Sequence, residues 1–212
     1  MTTFQITWIA LAALLLIACL LIGIWINGRP LGVLIDGRGK MSLSRLQLVL
    51  WNWLLISSFL ALAVTFVSMN IEMTPQLWAL MGISVGSAAG SVIVKGTKAS
   101  QQPAPTVSEG AMSVSHRGLL TINTDVRQAQ LTDLFSGEEL TDCGSVDISK
   151  VQMFFFTMAA VVGYAIVLWA FPFRLCDGKF QFPEISSSLV TLLGISHAGY
   201  LTIKAAPKTP AA

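Results

Sequence analysis

The chain has 212 residues, of which 54% are hydrophobic and only 11% are charged, whereas a soluble domain carries about 25% charged residues. This composition excludes an ordinary soluble globular protein and indicates a chain that lies largely in a lipid bilayer. The net charge is only +2, so no global basic field indicates nucleic acid as a partner.

Five apolar stretches without Asp, Glu, Lys or Arg are candidates to cross a bilayer. A hydrocarbon core of about 30 Å needs about 20 helical residues, because unpaired backbone groups are costly in lipid. The sequence therefore predicts an all-α integral membrane protein with five transmembrane helices, at residues 4–26, 46–69, 77–94, 151–171 and 185–203. The first stretch resembles a signal peptide, but it lacks a basic start and continues past Cys19, which favours a retained anchor.

The Lys and Arg residues fall almost entirely on one side of these spans. Only Arg174 and Lys179, of the 13 basic residues, would lie on the other side. Because cytoplasmic loops collect basic residues, the N-terminus is predicted outside and the C-terminus in the cytoplasm, with a bacterial inner (plasma) membrane as the expected location.

Two parts of the chain resemble each other. Residues 44–48 (SRLQL) correspond to residues 149–153 (SKVQM), and residues 80–84 (LMGIS) correspond to residues 192–196 (LLGIS). Each copy is a helical hairpin, so both copies enter the bilayer in the same orientation. Ser44 and Ser149 are predicted N-caps of the first helix of each copy, and residues 173–181 are the predicted insertion that lengthens the second copy.

The predicted architecture is one N-terminal span plus two parallel repeats of a helical hairpin. Along the chain we expect an N-terminal transmembrane anchor, a cytoplasmic linker, the first repeat, a cytoplasmic loop or small subdomain, the second repeat and a cytoplasmic tail. Their predicted ranges are 1–27, 28–43, 44–96, 97–148, 149–205 and 206–212.

Small residues at helical spacing predict a packing face on the third span. Gly82, Gly86 and Gly90 recur every four residues, and Gly194 with Ala198 repeats the pattern more weakly in the fifth span. Such faces let two helix backbones approach closely. Spacing alone leaves open whether the partner helix belongs to the same chain or to another subunit of a homo-oligomer.

Three polar side chains inside the spans are candidates for the lining of a pore: Gln47, Gln152 and His197. Each glutamine could instead cap a neighbouring helix or face lipid headgroups. His197 could be a neutral, packed side chain or a proton-sensitive gate.

The segment between spans three and four is the only long polar stretch. We expect a short strand at 119–122, a turn of helix within 126–135 and a turn at 136–139. The segment 117–147 is either a solvated loop or a docking surface for a cytoplasmic protein, with an apolar anchor and an acidic rim. The candidate docking residues are Asp133, Leu134, Phe135, Glu138 and Glu139.

No recognised catalytic motif occurs, and the cysteines Cys19, Cys143 and Cys176 have no spacing typical of a metal site. We therefore expect neither an enzyme nor a bound cofactor or metal. The leading hypothesis is an oligomeric membrane scaffold, or an anchor subunit of a larger assembly. The alternative is a pore-forming or ion-channel subunit lined by the repeated hairpins, and a transporter built from parallel repeats comes third.

Overall fold

The computed structural model describes residues 1–176 and 178–211, with only the backbone described at Leu175 and Cys176. The chain is mostly helical. Six α-helices occur in the described residues, and one of them, α4, is a single turn. In chain order they are α1 (Thr3–Asn27), α2 (Leu43–Phe66), α3 (Pro75–Ser100), α4 (Glu109–Met112), α5 (Ile148–Ala170) and α6 (Ser187–Ala205).

Four helices, α1, α2, α3 and α5, are long and apolar enough to cross a membrane. They support the predicted class, a helical membrane protein. The fifth predicted span is also a helix, α6, with 19 residues. Ser196, His197 and Lys204 interrupt its hydrophobic sequence, and it is not among the described helices that qualify as spans by length and composition.

The predicted N-caps at Ser44 and Ser149 were wrong by two residues. α2 begins after Ser42, and α5 begins after Asp147. The Asp147 carboxylate accepts a hydrogen bond of 3.0 Å from the backbone N–H of Ser149. A carboxylate two residues earlier satisfies the free N–H groups of the first turn, so the helix starts there.

The long helices pack through polar contacts set in an apolar core. The indole of Trp8 in α1 donates to Ser57 Oγ of α2 at 3.0 Å, and the indole of Trp53 donates to the carbonyl of Ala12 at 2.8 Å. These bonds join two helices that have mostly apolar surfaces, so they fix which faces meet.

A small sheet lies at one end of the helices, where both hairpins turn. β1 (Ile71–Glu72), from the turn between α2 and α3, pairs in parallel with β3 (Lys179–Gln181), and β2 (Leu175–Cys176) pairs antiparallel with β3. The predicted insertion at 173–181 thus contains two strands that join the turn of one hairpin to the turn of the other.

The opposite end of the helices, named here the basic end, carries the polar segments of the chain. Residues 101–147, named here the α3–α5 segment, lie there with the C-terminal residues 206–211, whose Ala211 forms a β-bridge to Pro103. The expected strand at 119–122 is present as half of a hairpin, His116–Arg117 paired with Leu120–Thr121. The expected turn of helix within 126–135 forms two 3-10 turns, Val126–Gln128 and Leu131–Leu134.

The segment before α2 is packed rather than extended. Residues predicted as a linker, 28–43, include a 3-10 turn at Gly32–Leu34. Leu34, Ile35 and Met41 are buried in one cluster with Leu134. This cluster attaches both polar segments to the helix ends by burial of apolar surface.

Candidate functional site

Four cationic side chains converge on one carboxylate at the basic end. The Oε1 atom of Glu138 lies 2.7 Å from Lys204 Nζ, 3.1 Å from Lys150 Nζ, 3.3 Å from Arg38 Nη2 and 4.0 Å from Lys95 Nζ. The cations come from four different parts of the chain, namely α6, α5, the segment before α2, and α3. The three lysines lie where the apolar part of their helix begins or ends, so their long side chains can reach out of the hydrophobic layer to the same acid.

A second carboxylate, Asp36, completes what we name the Glu138 cluster. It accepts from Arg38 Nη2 at 3.0 Å and from Lys95 Nζ at 2.6 Å. Burial alone would raise the pKa of this carboxyl, but the charges of Arg38 and Lys95 outweigh it and lower the pKa to about 2. The cluster therefore sets two ionised carboxylates against four cations, an excess of positive charge.

The Glu138 carboxyl is held ionised in the same way. Its side chain is only 12% exposed, and burial would raise its pKa. The surrounding charges, led by Lys204, Arg38 and Lys150, instead lower the pKa of Glu138 well below its ordinary value. The segment that carries this residue is thus joined electrostatically to the ends of three helices.

The neighbouring acid, Glu139, makes a separate buried ion pair. Lys98 Nζ lies 2.5 Å from Glu139 Oε1 and also donates to the backbone carbonyls of Lys204 and Ala206. The other oxygen of Glu139 accepts from the backbone N–H groups of Lys208 and Thr209, at 2.9 and 2.6 Å. This pair ties the end of α3 to the end of α6 and to the C-terminal residues.

A cavity of about 780 Å³ lies between α2 and α3 beside the Glu138 cluster. One wall is apolar and formed by the two helices, and the other is charged and formed by the basic end. Its charged lining comprises Asp36, Arg38, Arg45, Lys95 and Arg117. Arg45 and Arg117 are exposed, so their guanidinium groups are accessible at the boundary between the apolar helices and the polar segments.

The three predicted pore-lining residues occupy different environments. Gln47 is 1% exposed, and its Nε2 donates to Thr157 Oγ1 of α5 at 2.5 Å. Gln152, its counterpart in the second hairpin, is exposed on the surface of α5. His197 is buried within the bundle. Corresponding sequence positions therefore do not have corresponding surroundings.

The small residues of the predicted packing face divide into two groups. Gly90 lies against Leu201 of α6, and Gly194 lies against Ile83 of α3, so these two glycines serve packing within the chain. At Gly82 and Gly86 a Cβ atom would meet nothing within 4 Å, and both glycines are exposed, as is Ala198. The open part of the face is therefore free to meet lipid or another molecule.

The five predicted docking residues all lie against the chain itself. Leu134 is buried, and the ring of Phe135 packs edge-on against Phe154 with centroids 5.1 Å apart. Asp133 accepts from the backbone N–H of Met41 at 3.3 Å. Together with the buried pairs of Glu138 and Glu139, these contacts are inconsistent with a solvated loop at these positions.

The Glu138 cluster was missed by sequence analysis, although a signal for it existed. Lys95 and Lys204 each stand near the end of an apolar stretch with no acid within four positions, and Lys150 has only Asp147, the N-cap of its helix. Unmatched cations at several helix ends can be satisfied by one acidic segment, and Glu138 with Glu139 is a pair of adjacent acids in the segment between α3 and α5.

The chain matches no protein-family model, no curated protein and no solved structure.

Proposed function

We propose that the chain is a non-enzymatic multipass membrane protein that serves as an oligomeric scaffold or as an anchor subunit of a larger assembly. The observation that supports this role best is the convergence of Arg38, Lys95, Lys150 and Lys204 on Glu138. Ion pairs buried to this degree are strongly destabilised when one partner is removed. The α3–α5 segment is therefore expected to move with the helices as one body, as a scaffold requires.

In this proposal α6 is the fifth span, and α5–α6 repeats the hairpin α2–α3 in the same orientation. The most polar side chains of α6, His197 and Lys204, are buried and do not face outward. The exposed Thr191 and Thr202 donate to carbonyls of their own helix, and other outward positions, such as Ile195 and Ile203, are apolar. A helix that directs its most polar groups into the bundle can lie in lipid despite a moderate overall apolarity.

The basic end is proposed to face the cytoplasm of a bacterial inner membrane, with the N-terminus outside. Lys and Arg are concentrated at this end, and the cytoplasmic ends of membrane helices collect these residues. Asp133 contacts Met41 at the basic end, whereas Lys179 forms an ion pair with Glu72 at the other end. Tags inserted beside Asp133 and beside Lys179 should therefore be accessible from opposite sides of the membrane, and access from the same side would refute the topology.

Self-association is proposed to use the open part of the α3 face, around Gly82 and Gly86. Because nothing in the same chain fills the space beside Gly86, Gly86→Leu should leave the fold of the single chain intact. It should nevertheless block close approach of a second copy. Subunit counting in nanodiscs by single-molecule photobleaching tests this.

The matched control is Gly163→Leu, at an exposed span glycine on α5 that also has open space beside it. We expect the control to keep the subunit number of the unmodified chain and Gly86→Leu to reduce it to one. An unmodified chain that is monomeric, or a Gly86→Leu variant that keeps its subunit number, would contradict the oligomer proposal.

The pore hypothesis has less support. Gln47 already donates its hydrogen bond within the contact between α2 and α5, and Gln152 lies on the outside of α5. A shared water-filled lining would need these side chains on one surface. A cytoplasmic partner of residues 117–147 would have to use the outer face of that segment, because the five predicted docking residues contact other parts of the chain.

A further inference from the structure

The cavity between α2 and α3 has an unbalanced charge. Its lining includes the cations Arg38, Arg45, Lys95 and Arg117 but a single carboxylate, that of Asp36. Asp36 is already paired with Arg38 and Lys95. In the part of the chain that the structure describes, neither Arg45 nor Arg117 has a carboxylate within ion-pair distance, so the cavity is suited to an anion.

Three residues that line the cavity each carry a buried polar atom with no hydrogen-bond partner in the described chain. The atoms are Nη1 of Arg38, Oγ of Ser44 and Oγ of Ser91, in residues that are 7%, 3% and 2% exposed. Buried donors in native proteins are nearly always satisfied, and leaving one unpaired costs free energy. These atoms have almost no surface of their own open to the cavity, so an occupant first meets the exposed guanidinium groups of Arg45 and Arg117.

The remaining wall is apolar and faces outward from the helices. It is formed by Leu48 of α2 and by Val85, Ala88, Ala89 and Val92 of α3. Val85 and Val92 are 51% and 68% exposed, on helices that qualify as membrane spans. An occupant that reaches this wall from the charged wall needs both a polar head and a hydrocarbon part.

We infer that the cavity binds an anionic phospholipid, with its phosphate at the exposed guanidinium groups of Arg45 and Arg117 and its acyl chains along Val85 and Val92. Guanidinium groups match phosphate oxygens with paired hydrogen bonds. The volume of about 780 Å³ lies within the range of about 300–1,000 Å³ typical of ligand sites. A zwitterionic lipid fits less well, because its own cation would meet the excess positive charge.

The inference can be tested with the full chain in a neutral detergent. Phosphatidylglycerol and phosphatidylcholine with identical acyl chains are titrated separately, and retained lipid is counted by native mass spectrometry. We expect one tightly retained phosphatidylglycerol and at least tenfold weaker retention of phosphatidylcholine. The double variant Arg45→Gln/Arg117→Gln should weaken phosphatidylglycerol binding by at least twentyfold, because each cation beside an anionic lipid contributes about fivefold to its affinity. Both side chains are exposed, so folding should survive.

The matched charge control is Arg127→Gln, which removes an exposed arginine that does not line the cavity. A matched steric pair is Ala89→Phe, which fills the apolar wall, and Ala79→Phe, an exposed position on the same helix outside the cavity. We expect Arg127→Gln and Ala79→Phe to bind lipid like the unmodified chain and Ala89→Phe to lose it.

Three outcomes would overturn the inference. In the first, the two lipids are retained equally. In the second, the cavity variants bind phosphatidylglycerol as well as their controls do. In the third, glycerol 3-phosphate displaces the lipid at concentrations close to that of the lipid. The last result would mean that the cavity recognises a soluble phosphate and not a lipid. These outcomes do not depend on subunit number, so the scaffold proposal and the lipid site can fail separately.

Discussion

The Oε1 atom of Glu138 lies 2.7 Å from the Nζ atom of Lys204, a residue 66 positions further along the chain. The same oxygen contacts the cations of Arg38 and Lys150. A single acid thus offsets charges that α5, α6 and the segment before α2 bring to one end, and the stability of that end should depend on it more than on any other acid there.

Replacement of this acid should be strongly destabilising. Glu138→Gln keeps the size of the side chain but leaves the four cations without their shared counter-ion. Removing one member of a buried ion pair costs about 3–5 kcal/mol, and we expect a loss of free energy of unfolding of that order. Denaturation of the purified protein in mixed micelles of mild detergent and sodium dodecyl sulfate measures it.

The control for this variant is Glu109→Gln. Glu109 is exposed and forms no ion pair among the described residues, so its replacement should change the free energy of unfolding by less than about 0.5 kcal/mol. Equal effects of the two substitutions would show that the Glu138 cluster does not stabilise the fold.

Acid should weaken the basic end through Asp36. The pKa of this group is lowered from 3.8 to about 2 in the folded chain. A carboxyl whose pKa is lower in the folded chain than in the unfolded chain stabilises the fold above its ordinary pKa. This contribution to the free energy of unfolding is lost as the pH falls through the pKa of the folded chain. We expect a loss of about 2 kcal/mol between pH 4 and pH 2 from this group, with a further acid-dependent loss from Glu138, whose pKa is also lowered.

Thermal unfolding midpoints measured between pH 6 and pH 2 test this expectation. Asp36→Asn should lower the midpoint at pH 6 and should flatten its decline between pH 4 and pH 2, because the titrating group is gone. If the variant declines as steeply as the unmodified chain, the acid sensitivity arises from other groups and the assignment to Asp36 is wrong.

The contact between α2 and α5 should depend on the hydrogen bond from Gln47 to Thr157, at 2.5 Å. A double-mutant cycle with Gln47→Leu and Thr157→Val is expected to give a coupling free energy of about 0.5–1.5 kcal/mol, the range for hydrogen bonds between membrane helices. Gln152→Leu is the control, since Gln152 is exposed, and it should be nearly neutral.

The same variants separate a packing role from a pore. If the two glutamines lined a water-filled path, the unmodified chain in liposomes would conduct small ions and Gln152→Leu would change that flux. A scaffold predicts no flux for any of them. Ion flux that depends on Gln152 would therefore favour the pore and contradict the scaffold proposal.

The helices could be predicted from sequence, and the basic end could not, for physical reasons. Lipid imposes a long uncharged stretch wherever a helix crosses, so the helices corresponding to residues 4–26 or 46–69 are visible in the sequence alone. Contacts such as that of Arg38 with Glu138 join residues 100 positions apart, and no local pattern specifies which acid meets which cation. Repetition also misleads locally: Gln47 and Gln152 correspond in sequence, yet only Gln47 is buried.

The pair formed by Lys98 and Glu139 should control access to the C-terminal residues. Glu139→Gln leaves Lys98 buried without its counter-ion and weakens the acceptor for the backbone N–H groups of Lys208 and Thr209. We expect faster trypsin cleavage after Lys208 in this variant, quantified by mass spectrometry against cleavage after the exposed Arg127 in the same sample.

Lys98→Met combined with Glu139→Leu removes both charges together, and replacement of a buried ion pair by apolar groups is often tolerated. If the attraction between Lys98 and Glu139 holds this end together, the double variant should unfold at a higher temperature than Glu139→Gln alone. Cleavage after Lys208 should nevertheless stay fast, because the carboxylate that accepts from the N–H groups of residues 208 and 209 is still missing. A double variant less stable than Glu139→Gln would mean that the hydrogen bonds from Lys98 to the α6 carbonyls, and not its ion pair, carry the stabilisation.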